Sequence, residues 1–228
     1  PIHHIMFSIY ANSLASQQLD KLIAASKKAK VDSCAYTSPH IVLIIGESYG
    51  KHHSQQYGYV QPTTPRQIQR ERSGQLVKFS DVVSPWNLTS YVFKHVFSLY
   101  NVGDPGEWCD YPLFPQMFRK AGYHVTFITN QFLSQANENV YDFSGGFFLN
   151  TPTLNKAMFD TRNDSLYTFD ENLVAEYSHL KVQEGKYNLT IFHLIGQHVG
   201  YQYRAPNNRR RWKGDDYKTL RPDLSPAQ

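Results

Sequence analysis

Cysteine, charge and long apolar runs are all scarce in this chain. Its 228 residues include two cysteines, Cys34 and Cys109, which lie far apart and form no C-x-x-C pair. That spacing excludes a zinc ribbon or a thioredoxin-type motif, and leaves either one disulfide or two free buried thiols. No stretch reaches the roughly 18 apolar residues needed to span a bilayer, and no signal-peptide pattern is visible. The chain begins at Pro1 rather than Met, so we expect a piece of a longer protein, with any membrane anchor lying upstream. Charged residues make up 18% and the net charge is +4. This mild basicity comes without a recognition helix, a zinc finger or an aromatic RNA-binding signature, so nucleic acid is not an expected partner.

What the chain does have is apolar and aromatic mass. Hydrophobic residues make up 41% and aromatic residues 14%, a globular composition large enough for one ordinary core. Much of the positive excess falls in Arg204, Arg209, Arg210, Arg211 and Lys213. Such a run reads as a solvated loop, or alternatively as a contact for anionic headgroups at a membrane surface.

Hydrophobic periodicity supplies the elements. Pro1–Tyr10 is mixed apolar and aromatic, as in a segment leaving a membrane or packing on a neighbour. Ser13–Lys30 is helical in pattern, and Ser33–Pro39 is a linker. His40–Gly46 is a continuous β-branched run ended by Gly, which predicts a buried parallel strand. A short strand is expected over Phe79–Val83, and helices over Leu88–Leu99 and Pro112–Ala121, the latter with Gly122 just past its end. Tyr123–Thr129 reads as a strand, Ser144–Asn150 as a Gly-rich turn, Asp170–Leu180 as a helix capped by Asp170, and Tyr187–Ile195 as another buried strand. The tail from Tyr201 to Gln228 reads as a polar loop. Strands alternating with helices predict an α/β fold, a mostly parallel sheet flanked by helices.

In open parallel sheets, ligands gather beyond the carboxyl ends of the strands. Two strand ends here carry reactive groups, Gly46-Glu47-Ser48-Tyr49-Gly50 and His193-Leu-Ile-Gly-Gln-His198. A carboxylate beside a hydroxyl makes a nucleophile only if a cation sits between them, binding the carboxylate and lowering the hydroxyl pKa. The plain alternative is that Glu47 and Ser48 cap a helix.

Several blocks together resemble the phosphoethanolamine transferases of the sulfatase and alkaline-phosphatase superfamily. They are Ile41–Ser48, Tyr57-Gly-Tyr59, Pro62-Thr-Thr-Pro65, Ser84–Ser98, Phe118–Gln131 and His193–His198, in the family's order. The resemblance implies a sulfatase-like fold, incomplete at its C-terminal end. Residues 39–228 would form the N-terminal part of a catalytic domain, and residues 1–38 a helical leader following an upstream membrane region. It implies that Glu47 is a metal ligand and that Ser48 touches the metal and serves as nucleophile, forming a phosphoserine intermediate. It also implies that His198 binds the phosphate or the donor group, and that Thr89 and Lys94 line the substrate pocket. His193, inside an apolar strand, reads as a core residue, and His52 and His53 as loop residues.

The implied cofactor is a divalent metal, zinc first, with manganese or magnesium as alternatives. The implied donor is phosphatidylethanolamine and the acceptor an envelope lipid or glycan. The implied place is the periplasmic side of the inner membrane. Two departures qualify the picture. No Asp-His pair occurs in the sequence, so the family's remaining metal ligands are not supplied here. Ser48 is followed by neither the Pro nor the Arg of a formylglycine motif, which argues against a formylglycine sulfatase. A phosphoglycerol transferase, a metal-dependent hydrolase and a non-catalytic envelope-binding domain are the competing readings.

Overall fold

The computed structural model describes residues 2–133, 148–180 and 185–212. Ten regular elements follow in order: α1 (Ile2–Lys28), β1 (His40–Ile45), α2 (Pro65–Arg72), α3 (Thr89–Phe97), α4 (Phe114–Lys120), β2 (His124–Thr129), α5 (Pro152–Met158), β3 (Thr161–Arg162), α6 (Asp170–Tyr177) and β4 (Asn188–His193). The four strands form one parallel sheet in the order β1-β4-β2-β3. The last strand therefore enters between the first two. Its register sets Ile45, Thr129 and His193 level with one another, so three strands stop at the same height.

Burial follows that order. Every residue of central β4 is buried, as are five of the six in β2. β1 is an edge strand, and its burial alternates: Val42 and Ile44 are 62% and 64% exposed. The continuous apolar run predicted a strand buried on both faces. The strand is there, but among the described residues one face has no cover.

The core is aromatic. Phe93 and Phe97 from α3 meet Phe127 from β2 and Phe159 after α5. In α3 the buried residues are Ser90, Phe93, Lys94 and Phe97, the i, i+3, i+4, i+7 stripe of a helix lying on a core. Helix α4 carries Pro115 in its first turn, and Gly122 follows its end at φ 92°, a left-handed exit that glycine adopts without steric cost. Helix α1 starts earlier than its periodicity predicts. Its second half docks through Leu22 and Ser26, with the Gln116 side-chain amide donating to the Ser26 carbonyl at 2.9 Å. Its first half exposes Ile2, Ile5, Met6, Phe7 and Ile9.

Other expectations need correction. Phe79–Val83 forms no strand, and Phe79, Val82 and Val83 are exposed. Helix α2 was not foreseen because Ile68 is its one aliphatic residue, too few to set a period. Asp170 does not cap α6: Phe169 holds that position, and the Asp170 carboxylate accepts the backbone N–H groups of Ile195 and Gly196 at 2.9 and 2.8 Å. The turn expected over Ser144–Asn150 lies partly outside the described residues; its last three residues form a 3-10 turn. Both cysteines are free thiols.

His193 ends β4 fully buried, its ring against Phe93, Phe127 and Phe132. Burial pushes its pKa down to about 4, with Arg162 adding to the effect and the Glu47 and Asp170 carboxylates opposing it. The ordinary value is 6.5. Between those two pH values the unfolded chain takes up a proton here that the folded chain refuses, so stability falls as pH falls. At about 1.4 kcal/mol per unit, the cost by pH 4 is about 3 kcal/mol. Urea unfolding from pH 7 down to pH 4 should show this decline, and His193→Gln should flatten it. An equal slope in both proteins would count against a neutral buried ring.

Candidate active site

The carboxyl ends of β1, β4 and β2 converge on Glu47. Beyond β1 the chain turns sharply, and Ser48 takes a left-handed conformation with φ 53°. A non-glycine residue pays strain for this, and such strain concentrates at functional sites. Beyond β4, Gly196 lies directly against that turn. A Cβ built on Gly196 would lie 2.8 Å from both the N and the O of Glu47, so only glycine lets the two strand ends approach this closely. The Gln197 N–H then donates to the Glu47 carbonyl at 3.0 Å. Asp170 clamps the same loop from the other side through Ile195 and Gly196, and also accepts from the Asn130 amide at 3.0 Å.

The Glu47 side chain is the hub. Ser48 Oγ donates to its Oε1 at 2.9 Å, Thr89 Oγ1 donates to its Oε2 at 2.6 Å, and Gln131 Nε2 reaches Oε2 at 3.2 Å. Burial opposes ionisation of this carboxyl. The hydrogen bonds from Thr89, Gln131 and Ser48, with a smaller contribution from His193, outweigh burial and hold its pKa below the ordinary carboxylate value. Gln131 Nε2 also lies 2.9 Å from the Leu194 carbonyl and 3.1 Å from His193 Nε2. With Nδ1 carrying the proton toward Thr129 Oγ1 at 3.0 Å, His193 Nε2 is free to accept one of the two Gln131 amide hydrogens. His193 is thus the core residue its sequence context implied, and through Gln131 it also positions Glu47.

The helix N-terminus at this site is that of α3. No helix begins at Ser48, where only a 3-10 turn over Lys51–His53 follows. Instead Thr89 opens a nine-residue helix that has no side-chain cap. The unpaired N–H groups and dipole of such a first turn favour an anion. Lys94, five residues on, is buried with its ammonium over the rings of Tyr91 and Trp108, at 4.6 and 5.4 Å. His198 is half-buried, and its Nδ1 is a buried atom with no hydrogen-bond partner among the described residues. His52 and His53 are exposed loop residues, with the His53 ring edge-on to Tyr59. Neither Gln131 nor Asp170 had been assigned a role here. Gln131 lay at the end of a recognisable block, and Asp170 looked like an ordinary cap.

The donor set at Glu47 suits a divalent cation on one side. Its two carboxylate oxygens and the hydroxyls of Ser48 and Thr89 form an oxygen-rich corner. A second cluster, Glu107, Cys109 and Asp110, brings its ligand atoms within 4.8 Å of one another. Lys21 already fills that role, its Nζ 3.3 Å from Glu107 and 3.7 Å from Asp110. Burial pushes the Cys109 thiol up to about 11, away from the thiolate that binds metal.

The basic run is partly structural. Arg204 donates to the carbonyls of His198 and Val199, and Arg210 to that of Ala205. Among the described residues, no helix is long and apolar enough to cross a membrane.

Comparison with known proteins agrees with this fold. The phosphoethanolamine transferase EptC of Escherichia coli K12 is 27% identical over 176 residues, covering 77% of this chain and 30% of that protein. The solved C-terminal periplasmic domain of Escherichia coli EptC superposes with a TM-score of 0.60 at 26% identity, over 75% of this chain and 46% of that one. The soluble domain of lipooligosaccharide phosphoethanolamine transferase A from Neisseria meningitidis, at 19% identity, shares the fold, with a TM-score of 0.60 over 83% of this chain and 55% of that one. This chain therefore spans about a third of the EptC protein and about half of the solved domains. Divalent-metal dependence is typical of the superfamily to which these proteins belong. The model of the family described as Sulfatase matches residues 39–225, and the chain belongs to that family.

Proposed function

We propose that this chain contributes the first half of a phosphoethanolamine-transferring active site, with phosphatidylethanolamine as donor and an envelope lipid or glycan as acceptor. The observation that carries this reading is the Glu47 carboxylate gripped by two hydroxyls at a parallel-sheet edge, beside an uncapped helix N-terminus. The names of the similar proteins give the transferred group.

Two hydroxyls compete for the role of nucleophile, and the geometry favours Thr89 over the Ser48 that the sequence suggested. Thr89 makes the shorter bond to Glu47 and begins α3, where a phosphoryl group attached to it would meet free N–H groups. Ser48 is exposed and begins no helix. Glu47, Thr89 and Ser48 would hold a divalent cation, zinc being our assignment. Bound there, it would lower the hydroxyl pKa and offset phosphoryl charge.

In the first step Thr89 Oγ1 bonds to phosphorus as its proton passes toward Glu47 Oε2. The bond from phosphorus to the diacylglycerol oxygen breaks, and that oxygen takes the same proton from Glu47 as diacylglycerol leaves. In the second step an acceptor hydroxyl oxygen bonds to phosphorus, the bond from phosphorus to Thr89 Oγ1 breaks, and the acceptor's proton returns to Oγ1 by way of Glu47. The α3 N–H groups stabilise the phosphoryl oxygens throughout. His198 and Lys94 are assigned to the substrate pocket, His198 on the strength of its unpartnered nitrogen. The donor is a lipid, so the site belongs at a membrane surface, on the periplasmic side of an inner-membrane-anchored protein. Residues 1–38 are assigned as the leader and 39–228 as part of the catalytic domain.

The test supplies the full-length gene product with phosphatidylethanolamine labelled in its headgroup. We expect diacylglycerol release together with label in an envelope acceptor. Label released only as free phosphoethanolamine, whatever acceptor is present, would replace transferase by hydrolase.

A further inference from the structure

The two loops that hold Glu47 come from different strands, and one side chain joins them. The loop after β2 brings Gln131, whose amide reaches Glu47 Oε2 at 3.2 Å and the Leu194 carbonyl at 2.9 Å. The loop after β4 brings Gly196 and Gln197, which pack against the Glu47 backbone and bond to it. Asp170 lies between these loops. Its Oδ1 accepts from Asn130 Nδ2 at 3.0 Å and from the Ile195 N–H at 2.9 Å, and its Oδ2 from the Gly196 N–H at 2.8 Å. Asn130, the neighbour of Gln131, is itself buried and fixed: its N–H donates to the His193 carbonyl and its Oδ1 accepts the Tyr167 N–H. The Ile195 carbonyl in turn accepts the His198 N–H at 3.1 Å.

Three N–H donors thus converge on a carboxylate that forms no ion pair among the described residues. Charge-assisted bonds of this kind are roughly twice as strong as neutral ones. An amide in the same place would offer one oxygen, and its NH2 would face N–H groups, so at least one anchor would be lost. Among the described residues Asp170 makes no hydrogen bond to Glu47, so its influence passes through the two loops.

We propose that Asp170 is a positioning residue: by tying the β2 and β4 loops together, it fixes the Glu47 carboxylate in the orientation that receives a divalent cation. Partners behind a metal ligand typically change metal affinity or activity by about ten- to a hundredfold. This assignment rests on the reading of Glu47 as a cation ligand and adds the residue that sets its aim. The competing account is that Asp170 merely stabilises the start of α6 through the helix dipole. Glu171 separates the two accounts. It carries the same charge in the same first turn, and its ion-pair partner is Arg209 at 3.4 Å rather than either loop.

The experiment measures zinc affinity of the full-length gene product by competition with a chromophoric chelator. Asp170→Asn should weaken zinc by about tenfold or more, and Glu171→Gln should leave it unchanged. In the Glu47→Gln background Asp170→Asn should cost little more, because the group it aims is gone. In metal-free protein, amide exchange at Gln131 and Gln197 should quicken in Asp170→Asn while the β2 and β4 amides keep their protection. Should Asp170→Asn fail to fold, Asn130→Ala, which removes one of the three donors, takes its place and should weaken zinc severalfold. Unchanged zinc affinity, an equal loss in Glu171→Gln, or a full further loss in the Glu47→Gln background would each overturn the proposal. Should the unaltered protein bind no zinc, the cation reading of Glu47 fails, and the exchange comparison still decides whether Asp170 fixes the loops, unchanged exchange overturning it.

Discussion

Thr89→Val in the full-length gene product should lower phosphoethanolamine transfer by roughly 10⁴-fold or more, the scale of losing a covalent nucleophile. Valine keeps the shape of threonine and removes only the hydroxyl. The residue gives α3 no side-chain cap, and the packing of that helix rests on Ser90, Phe93, Lys94 and Phe97, so thermal unfolding should be little changed. Ser48→Ala removes one hydrogen bond to a charged group, and the expected loss is about ten- to a hundredfold. The contrast between the two variants is the informative quantity, measured as kcat for headgroup transfer. If Ser48→Ala were the dead protein and Thr89→Val the mildly slowed one, the nucleophile would be Ser48, as the sequence alone suggested.

The second large effect concerns Glu47. Its carboxyl is held ionised by three side-chain hydrogen bonds against the cost of burial, an arrangement suited to binding a cation. Glu47→Gln is nearly isosteric but neutral, and its amide nitrogen cannot accept from Ser48 or Thr89. Metal affinity should fall at least about a hundredfold, and metal per protein, read by plasma mass spectrometry after dialysis, should drop with it. Transfer should fall in step, and excess zinc should restore part of it. Unchanged metal stoichiometry in Glu47→Gln would remove Glu47 from the metal site, whatever the activity did.

Much of this architecture was legible because it rests on strong local patterns. The β1 and β4 runs and the β2 block are dense in branched or aromatic residues and end in glycine or polar residues, so the parallel sheet and its functional edge followed. Glu47 stood out because a carboxylate where a strand stops needs a reason. Contacts between distant segments were not legible. Thr89 and Glu47 are 42 positions apart, and their 2.6 Å contact depends on how α3 lies across the sheet, which no period encodes. No helix begins after β1, so Glu47 and Ser48 cap none, and the helix N-terminus at the site belongs to α3. Asp170 looked like a cap because Asp at a helix start usually is one; its carboxylate instead holds the β4 loop. The exposed face of β1 was hidden by the same β-branched run that revealed the strand, since such a run does not say how many of its faces are covered. Arg204, Arg209, Arg210 and Arg211 read as one charge run, and only the fold separates Arg204 and Arg210, which bond to carbonyls, from Arg209, which pairs with Glu171.

The central claim is that a hydroxyl bonded to Glu47 and seated at the start of α3 carries the phosphoethanolamine group between donor and acceptor. Incubating the full-length gene product with phosphatidylethanolamine and no acceptor, then mapping the adduct by tandem mass spectrometry, tests this most directly. The account predicts phosphoethanolamine on Thr89 and none in the Thr89→Val protein. An adduct on Ser48, or turnover with no covalent adduct on either residue, would contradict it.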